Sequence, residues 1–144
     1  ELDIGGVRLE LRHTGTAHTP GDSFVWLPQK KVVFTGDIVY IERLLAVSAE
    51  SRSQSWIKAF EEMAALNPDH VIPGHGPATT LARARAETYD YLVALRKQVK
   101  AFMDGGGEIY DVAKIDQSRF KHLKQFEQLK GRNAQQVFQE MEWE

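Results

Sequence analysis

The hydrophobic period of this chain changes twice between residues 7 and 75, and that switch restricts its fold more than any other feature. Val7-Arg8-Leu9-Glu10-Leu11-Arg12 alternates apolar with charged residues, the pattern of a half-buried strand. Ser23-Phe24-Val25-Trp26-Leu27 and Lys31-Val32-Val33-Phe34-Thr35 are short apolar runs parted by Pro28-Gln29-Lys30, which predicts a hairpin. After residue 50 the period lengthens. Ser51-Arg52-Ser53-Gln54 has the form of a capping box, and Trp56, Ile57, Phe60, Met63 and Ala64 fall on one helical face. Asn67-Pro68 stops that helix, and His70-Val71-Ile72 returns to a strand pattern that Pro73-Gly74 ends.

Downstream the pattern is helical. Leu81, Ala84, Thr88, Tyr91, Leu95, Val99 and Phe102 recur at spacings of three and four, which predicts a helix over 80–103, broken at Gly105-Gly106-Gly107. Short helices are expected near 109–114 and 120–129, with a last one over 133–141. Strands, a helix, a strand and then helices indicate the α/β or α+β class, a sheet layer with helices outside it. At 144 residues the chain is one domain at most.

Composition excludes several functions. Eighteen Lys and Arg against 20 Asp and Glu leave a net charge of −2, which argues against a nucleic-acid partner. No apolar run approaches the ~18 residues of a membrane span, so no membrane partner is expected. The absence of cysteine rules out disulfides, thiolate zinc ligands and a Cys nucleophile. Glu1 stands where an initiator Met would, and no signal peptide precedes the first strand, so the expectation is that an upstream segment has been removed. The compartment stays open between cytoplasm and periplasm.

Three strand ends carry the informative residues. The first strand runs into His13-Thr14-Gly15-Thr16-Ala17-His18-Thr19-Pro20-Gly21-Asp22, the apolar strand ends in Thr35-Gly36-Asp37, and the last ends in Pro73-Gly74-His75-Gly76-Pro77. Loops on a rigid sheet are natural places for chemistry. Taken singly, His18, Asp37 and His75 read as ordinary polar loop residues. Converging, two imidazoles and a carboxylate make a plausible hydrolytic metal site, because imidazole suits zinc, manganese or iron and a carboxylate can bridge two cations.

In this order and spacing, Thr16-Ala17-His18-Thr19-Pro20-Gly21-Asp22, Phe34-Thr35-Gly36-Asp37 and Ile72-Pro73-Gly74-His75-Gly76 closely resemble the metallo-β-lactamase superfamily, over residues 1–78. The resemblance implies an αβ/βα sandwich of two similar halves with a metal site along one edge. It implies His18 as a ligand of the first metal, Asp37 as the catalytic carboxylate bridging both, and His75 on the second. Asp22 would fasten the His18 loop without touching metal. Family members also carry His-x-His-x-Asp-His upstream, whereas the histidines here stand at 13, 18, 70, 75 and 122, no two separated by a single residue. The chain is therefore expected to be the C-terminal half of the domain, with residues 1–78 as its strand-rich part and 79–144 as a C-terminal helical extension. Asp37 resembles the residue of the glyoxalase II and related hydrolases and not the Cys of some lactamases. The lack of a large insert between Asp37 and His75 sets aside the nucleic-acid-processing branch.

The implied activity is hydrolysis of an ester, thioester, lactam or similar bond in a small-molecule substrate by a metal-bound hydroxide, with two zinc ions in a complete site and iron or manganese as other metals. Two readings compete with it: an iron-dependent redox relative of the sulfur dioxygenase or flavo-diiron kind, and a metal-free binding or assembly domain. With only three ligands in the chain, weak or absent metal binding and no turnover are expected of it alone. Half a sandwich exposes a sheet face, so the N-terminal half of the domain or a second copy of the chain is the expected partner. Tyr40 and Arg43 are candidate substrate contacts at the mouth of the site. Trp26 and Trp56 are expected in the core.

Overall fold

The computed structural model describes residues 1–144. Its sheet has five strands in the order of the sequence: β1 (Leu2–Ile4), β2 (Val7–His13), β3 (Ser23–Leu27), β4 (Val32–Tyr40) and β5 (His70–His75). Strands β1 to β4 pair antiparallel, and β4 pairs with β5 in parallel. Helix α1 (Ser53–Ala64) forms the crossover that a parallel pair requires. A longer helical stretch follows: α2 (Leu81–Ala84), one π turn (Arg85–Tyr89) and α3 (Asp90–Asp104). Two 3₁₀ turns, Val112–Lys114 and Ser118–Phe120, lead to α4 (Phe126–Met141). This is the mixed α/β class that the period pattern predicts. No helix is long and apolar enough to cross a membrane.

One sheet face carries the helices. Phe24, Trp26, Val33 and Val71 point into a core shared with Trp56, Phe60 and Met63 of α1 and Tyr91, Leu92, Leu95 and Val99 of α3. On the other face Leu11 lies opposite Val25, Val25 opposite Phe34 and Phe34 opposite Ile72, an apolar row across four strands. Leu11 is 67% and Phe34 45% exposed there.

Four local expectations need correction. The hydrophobic pattern misses β1, which is only three residues long and joined to β2 through Gly5-Gly6. The predicted capping box does not form, because the Ser51 hydroxyl donates to the His18 carbonyl at 2.8 Å and accepts from the Ser48 amide. The Glu140 carboxylate accepts from the Ser53 and Gln54 amides instead, at 2.9 and 3.3 Å, where a negative charge also meets the positive end of the helix. The single predicted helix over 80–103 contains a π turn. The two helices expected over 120–129 and 133–141 are one helix, its buried face running through Phe126, Asn133, Ala134, Val137 and Phe138.

Candidate metal centre

Asp37 and His75 belong to strands, not to loops beyond them. β4 continues past Thr35 because Gly36 takes the left-handed conformation, with φ +51°, and the β4–β5 register shifts on either side of it. The shift aims Asp37 at the end of β5. There His75 Nε2 lies 3.3 Å from Asp37 Oδ1, with the two side chains 38% and 36% exposed. Gly74 makes this approach possible, since a Cβ on it would stand 2.4 Å from Asp37 Oδ1 and 2.6 Å from the Gly36 carbonyl.

His18 reaches the same neighbourhood from the loop after β2. Its Nδ1 donates to the Ala46 carbonyl at 2.9 Å, which leaves the Nε2 lone pair free. Asp22 fastens the loop by accepting from the Thr19 amide at 2.9 Å and the Thr19 hydroxyl at 2.8 Å.

Tyr40 joins the pieces. Its ring stacks on His75 with centroids 4.6 Å apart and meets the edge of His18 at 6.0 Å. The two imidazoles are thus separated by no more than the sum of those two distances. Tyr40 is 2% exposed, so it does not line a mouth. Burial, and then the nearby Asp37 carboxylate, push its phenol well above the ordinary tyrosine range. Arg43 sits over the Tyr40 ring, but its Nη2 donates to Gln125 Oε1 at 2.8 Å and its Nε is buried without a partner. That guanidinium is turned towards the C-terminal segment.

The C-terminal half braces this corner. The Leu44 amide donates to the Lys124 carbonyl and the Lys124 amide to the Glu42 carbonyl, both at 2.9 Å. The Glu42 carboxyl, paired with Lys124 and Arg83, is held below the usual carboxylate range. Glu87 in the π turn accepts from the Glu42 amide at 2.6 Å. Thr88, one residue on, accepts from the Tyr40 amide at 3.0 Å and donates to the Tyr40 carbonyl at 2.7 Å. Sequence reading overlooks Thr88 as anything but packing, although a hydroxyl within an apolar stripe is the signal that marks it.

Zinc takes nitrogen and oxygen ligands at about 2.0–2.2 Å, so donors 3.3 Å apart subtend a near-tetrahedral angle at one ion. Asp37 and His75 fit a shared metal on that ground. No three His, Asp or Glu side chains are grouped to hold one ion.

A model of the metallo-beta-lactamase superfamily matches residues 1–75. The chain belongs to that superfamily. It is similar to a metallo-beta-lactamase from Pontibacter korlensis, with 29% identity and a TM-score of 0.58 over 64% of this chain and 44% of that one. The DIM-1 metallo-beta-lactamase shares the fold at 24% identity and a TM-score of 0.53, over 60% of this chain and 41% of the other. The inverting sec-alkylsulfatase Pisa1 from Pseudomonas sp. shares it at 19% identity and a TM-score of 0.75, over 96% of this chain and 24% of that enzyme. The chain thus spans less than half the length of these metallo-beta-lactamase-fold proteins. Among curated proteins none matches it. The fold is that of metallo-hydrolases.

Proposed function

We propose that this polypeptide carries part of the dinuclear centre of a metal-dependent hydrolase acting on an ester, thioester, lactam or similar bond. His18 would hold the first metal, His75 the second, and Asp37 would serve both. The observation that supports this most is the 3.3 Å approach of His75 Nε2 to Asp37 Oδ1, beside a His18 whose Nε2 is free. A metal bound there supplies a water ionised near neutral pH and a Lewis acid for the scissile bond. The residues of the chain orient the donors: the Ala46 carbonyl fixes the His18 tautomer, and Asp22 keeps its loop from swinging away. Imidazole and carboxylate suit zinc, iron and manganese alike, and elemental analysis of intact protein decides among them.

Alone, the chain is expected to bind metal weakly and to turn over nothing, since a catalytic zinc keeps about three protein ligands. In a Zn²⁺ titration followed by NMR of the five histidine rings, His18 and His75 should shift while His13, His70 and His122 stay put, and Asp37→Ala should weaken the effect. Rings at 18 and 75 that ignore the metal would overturn the ligand assignment. Two tightly held zinc ions in the chain by itself would overturn its incompleteness.

The partner belongs on the apolar sheet row of Leu11, Val25, Phe34 and Ile72, which no segment of this chain covers. Light scattering of the isolated chain should report a dimer or a complex with the rest of the domain, and Phe34→Lys should yield a monomer. A monomeric wild-type chain would count against this.

A further inference from the structure

We infer that helix α4 sets the direction of the His18 imidazole, with Asn133 and Glu140 as positioning residues at the two ends of the segment that wraps it. What this means for a metal rests on the reading above; the geometry does not. Asn133 and Glu140 are seven residues apart on α4, so they share one face, about 10 Å from each other along its axis. The segment they hold, residues 44–52, belongs to no strand or helix. It has no ladder of its own, and its place depends on whichever groups take its amides and carbonyls.

At the first end Asn133 takes both neighbours of Ala46. Its Nδ2 donates to the Leu45 carbonyl at 2.8 Å and its Oδ1 accepts from the Val47 amide at 2.9 Å. The Ala46 carbonyl between them accepts from His18 Nδ1 at 2.9 Å, so one buried amide fixes the stretch of backbone that fixes the ring. At the other end Glu140 accepts from the Ser53 and Gln54 amides and so anchors the start of α1. Arg96 of α3 steadies this anchor, since its Nη1 donates to the Ser53 hydroxyl at 2.8 Å and lies 3.6 Å from Glu140 Oε1. The two residues just before α1 grip the His18 loop: the Ser51 hydroxyl donates to the His18 carbonyl at 2.8 Å and the Arg52 amide to the Ala17 carbonyl at 3.0 Å. The ring of His18 is thus held through Ala46 and its main chain through Ser51, and both holds lead to α4. Trp56 packs beside the imidazole at 5.7 Å but selects neither nitrogen, because its indole N–H is spent on the Ile38 carbonyl. Loss of the Ala46 bond frees the proton to move to Nε2, the nitrogen that a cation needs bare.

The test uses the full chain without metal and follows the His18 ring by nitrogen NMR, which reports which ring nitrogen carries the proton. The wild type should show the Nδ1–H form alone, with slow exchange of that proton with water. Glu140→Ala and Asn133→Leu should each populate the Nε2–H form and speed the exchange severalfold. Glu140→Gln, which keeps an acceptor oxygen at the same reach, should restore most of the wild-type signal. Val99→Ala, which loosens the buried face of α3 without touching these bonds, should lower the melting temperature and leave the ring unchanged. When Zn²⁺ is added, the two disturbed variants should bind it about tenfold more weakly than the wild type. A His18 ring that keeps the Nδ1–H form and its slow exchange in either variant would overturn the inference, as would a Val99→Ala chain that disturbs the ring equally. Should Asn133→Leu fail to fold, Glu140→Ala decides. A wild-type His18 ring that ignores Zn²⁺ would overturn the metal reading and leave the positioning by α4 standing.

Discussion

Replacing Asn133 by leucine is expected to cost about 3 kcal/mol and to lower the melting temperature by about 10 °C. Asn133 is fully buried on α4, and its amide makes three bonds inside the core. Its Oδ1 accepts from the Val47 amide at 2.9 Å, and its Nδ2 donates to the Leu45 carbonyl at 2.8 Å and to the Tyr91 hydroxyl at 3.0 Å. Residues 44–47 belong to no strand, so Asn133 does for them what a neighbouring strand would do. Leucine matches the volume but strands the Val47 N–H and the Leu45 C=O, and each orphaned buried group costs about 1–3 kcal/mol. Tyr91 keeps Gln117 as its acceptor and should suffer less. Thermal denaturation followed by circular dichroism measures the loss, with the exposed Gln135→Leu on the same helix as the neutral control. A secondary effect should appear at His18. The Ala46 carbonyl that receives its Nδ1 lies between the two orphaned groups.

Gly74→Ala is expected to disrupt the site itself. The added Cβ would stand 2.4 Å from Asp37 Oδ1 and 2.6 Å from the carbonyl carbon and oxygen of Gly36. The carboxylate can rotate away, but the backbone of β4 cannot give so much without losing its shifted register with β5. Overpacking of this kind costs about 1–3 kcal/mol, and contact with main-chain atoms puts this case at about 3. The Asp37–His75 approach should be lost together with whatever Zn²⁺ response the His75 ring shows. A Gly74→Ala chain with wild-type melting and wild-type Zn²⁺ shifts would show that the strand ends are not packed as closely as described.

Much of the fold is legible because it rests on period alone. Alternation marks β2, the Pro28-Gln29-Lys30 break marks the β3–β4 turn, and the apolar stripe of Trp56, Phe60 and Met63 marks α1. What the pattern misses depends on partners distant in sequence. Ser51 looks like a helix cap until the His18 carbonyl, 33 residues away, claims its hydroxyl. Glu140 then takes over the cap from 87 residues away. β4 looks as though it ends at Thr35, because Gly36 normally marks a turn, but pairing with β5 carries the strand on to Tyr40.

The candidate site follows the same division. The glycines, prolines, His18, Asp37 and His75 are short-range motifs that point to the metallo-β-lactamase superfamily from the sequence. Tyr40 as the element joining them is not legible, since its place three residues after Asp37 reads as a substrate contact at the mouth, and its burial depends on Thr88 and Trp56, distant in sequence. Nor is the orientation of Arg43, which depends on Gln125, 82 residues downstream.

The braces on the Tyr40 corner come from Glu87, Thr88 and Lys124, all made after every candidate ligand. During synthesis the donors therefore leave the ribosome well before the groups that hold them in place. Docking of the Lys124 segment closes a loop of about eighty residues, a contact of high sequence separation that belongs late in folding. A nascent chain stalled before residue 120 would hold the sheet and its histidines without this brace, and metal capture should follow docking of the Lys124 segment.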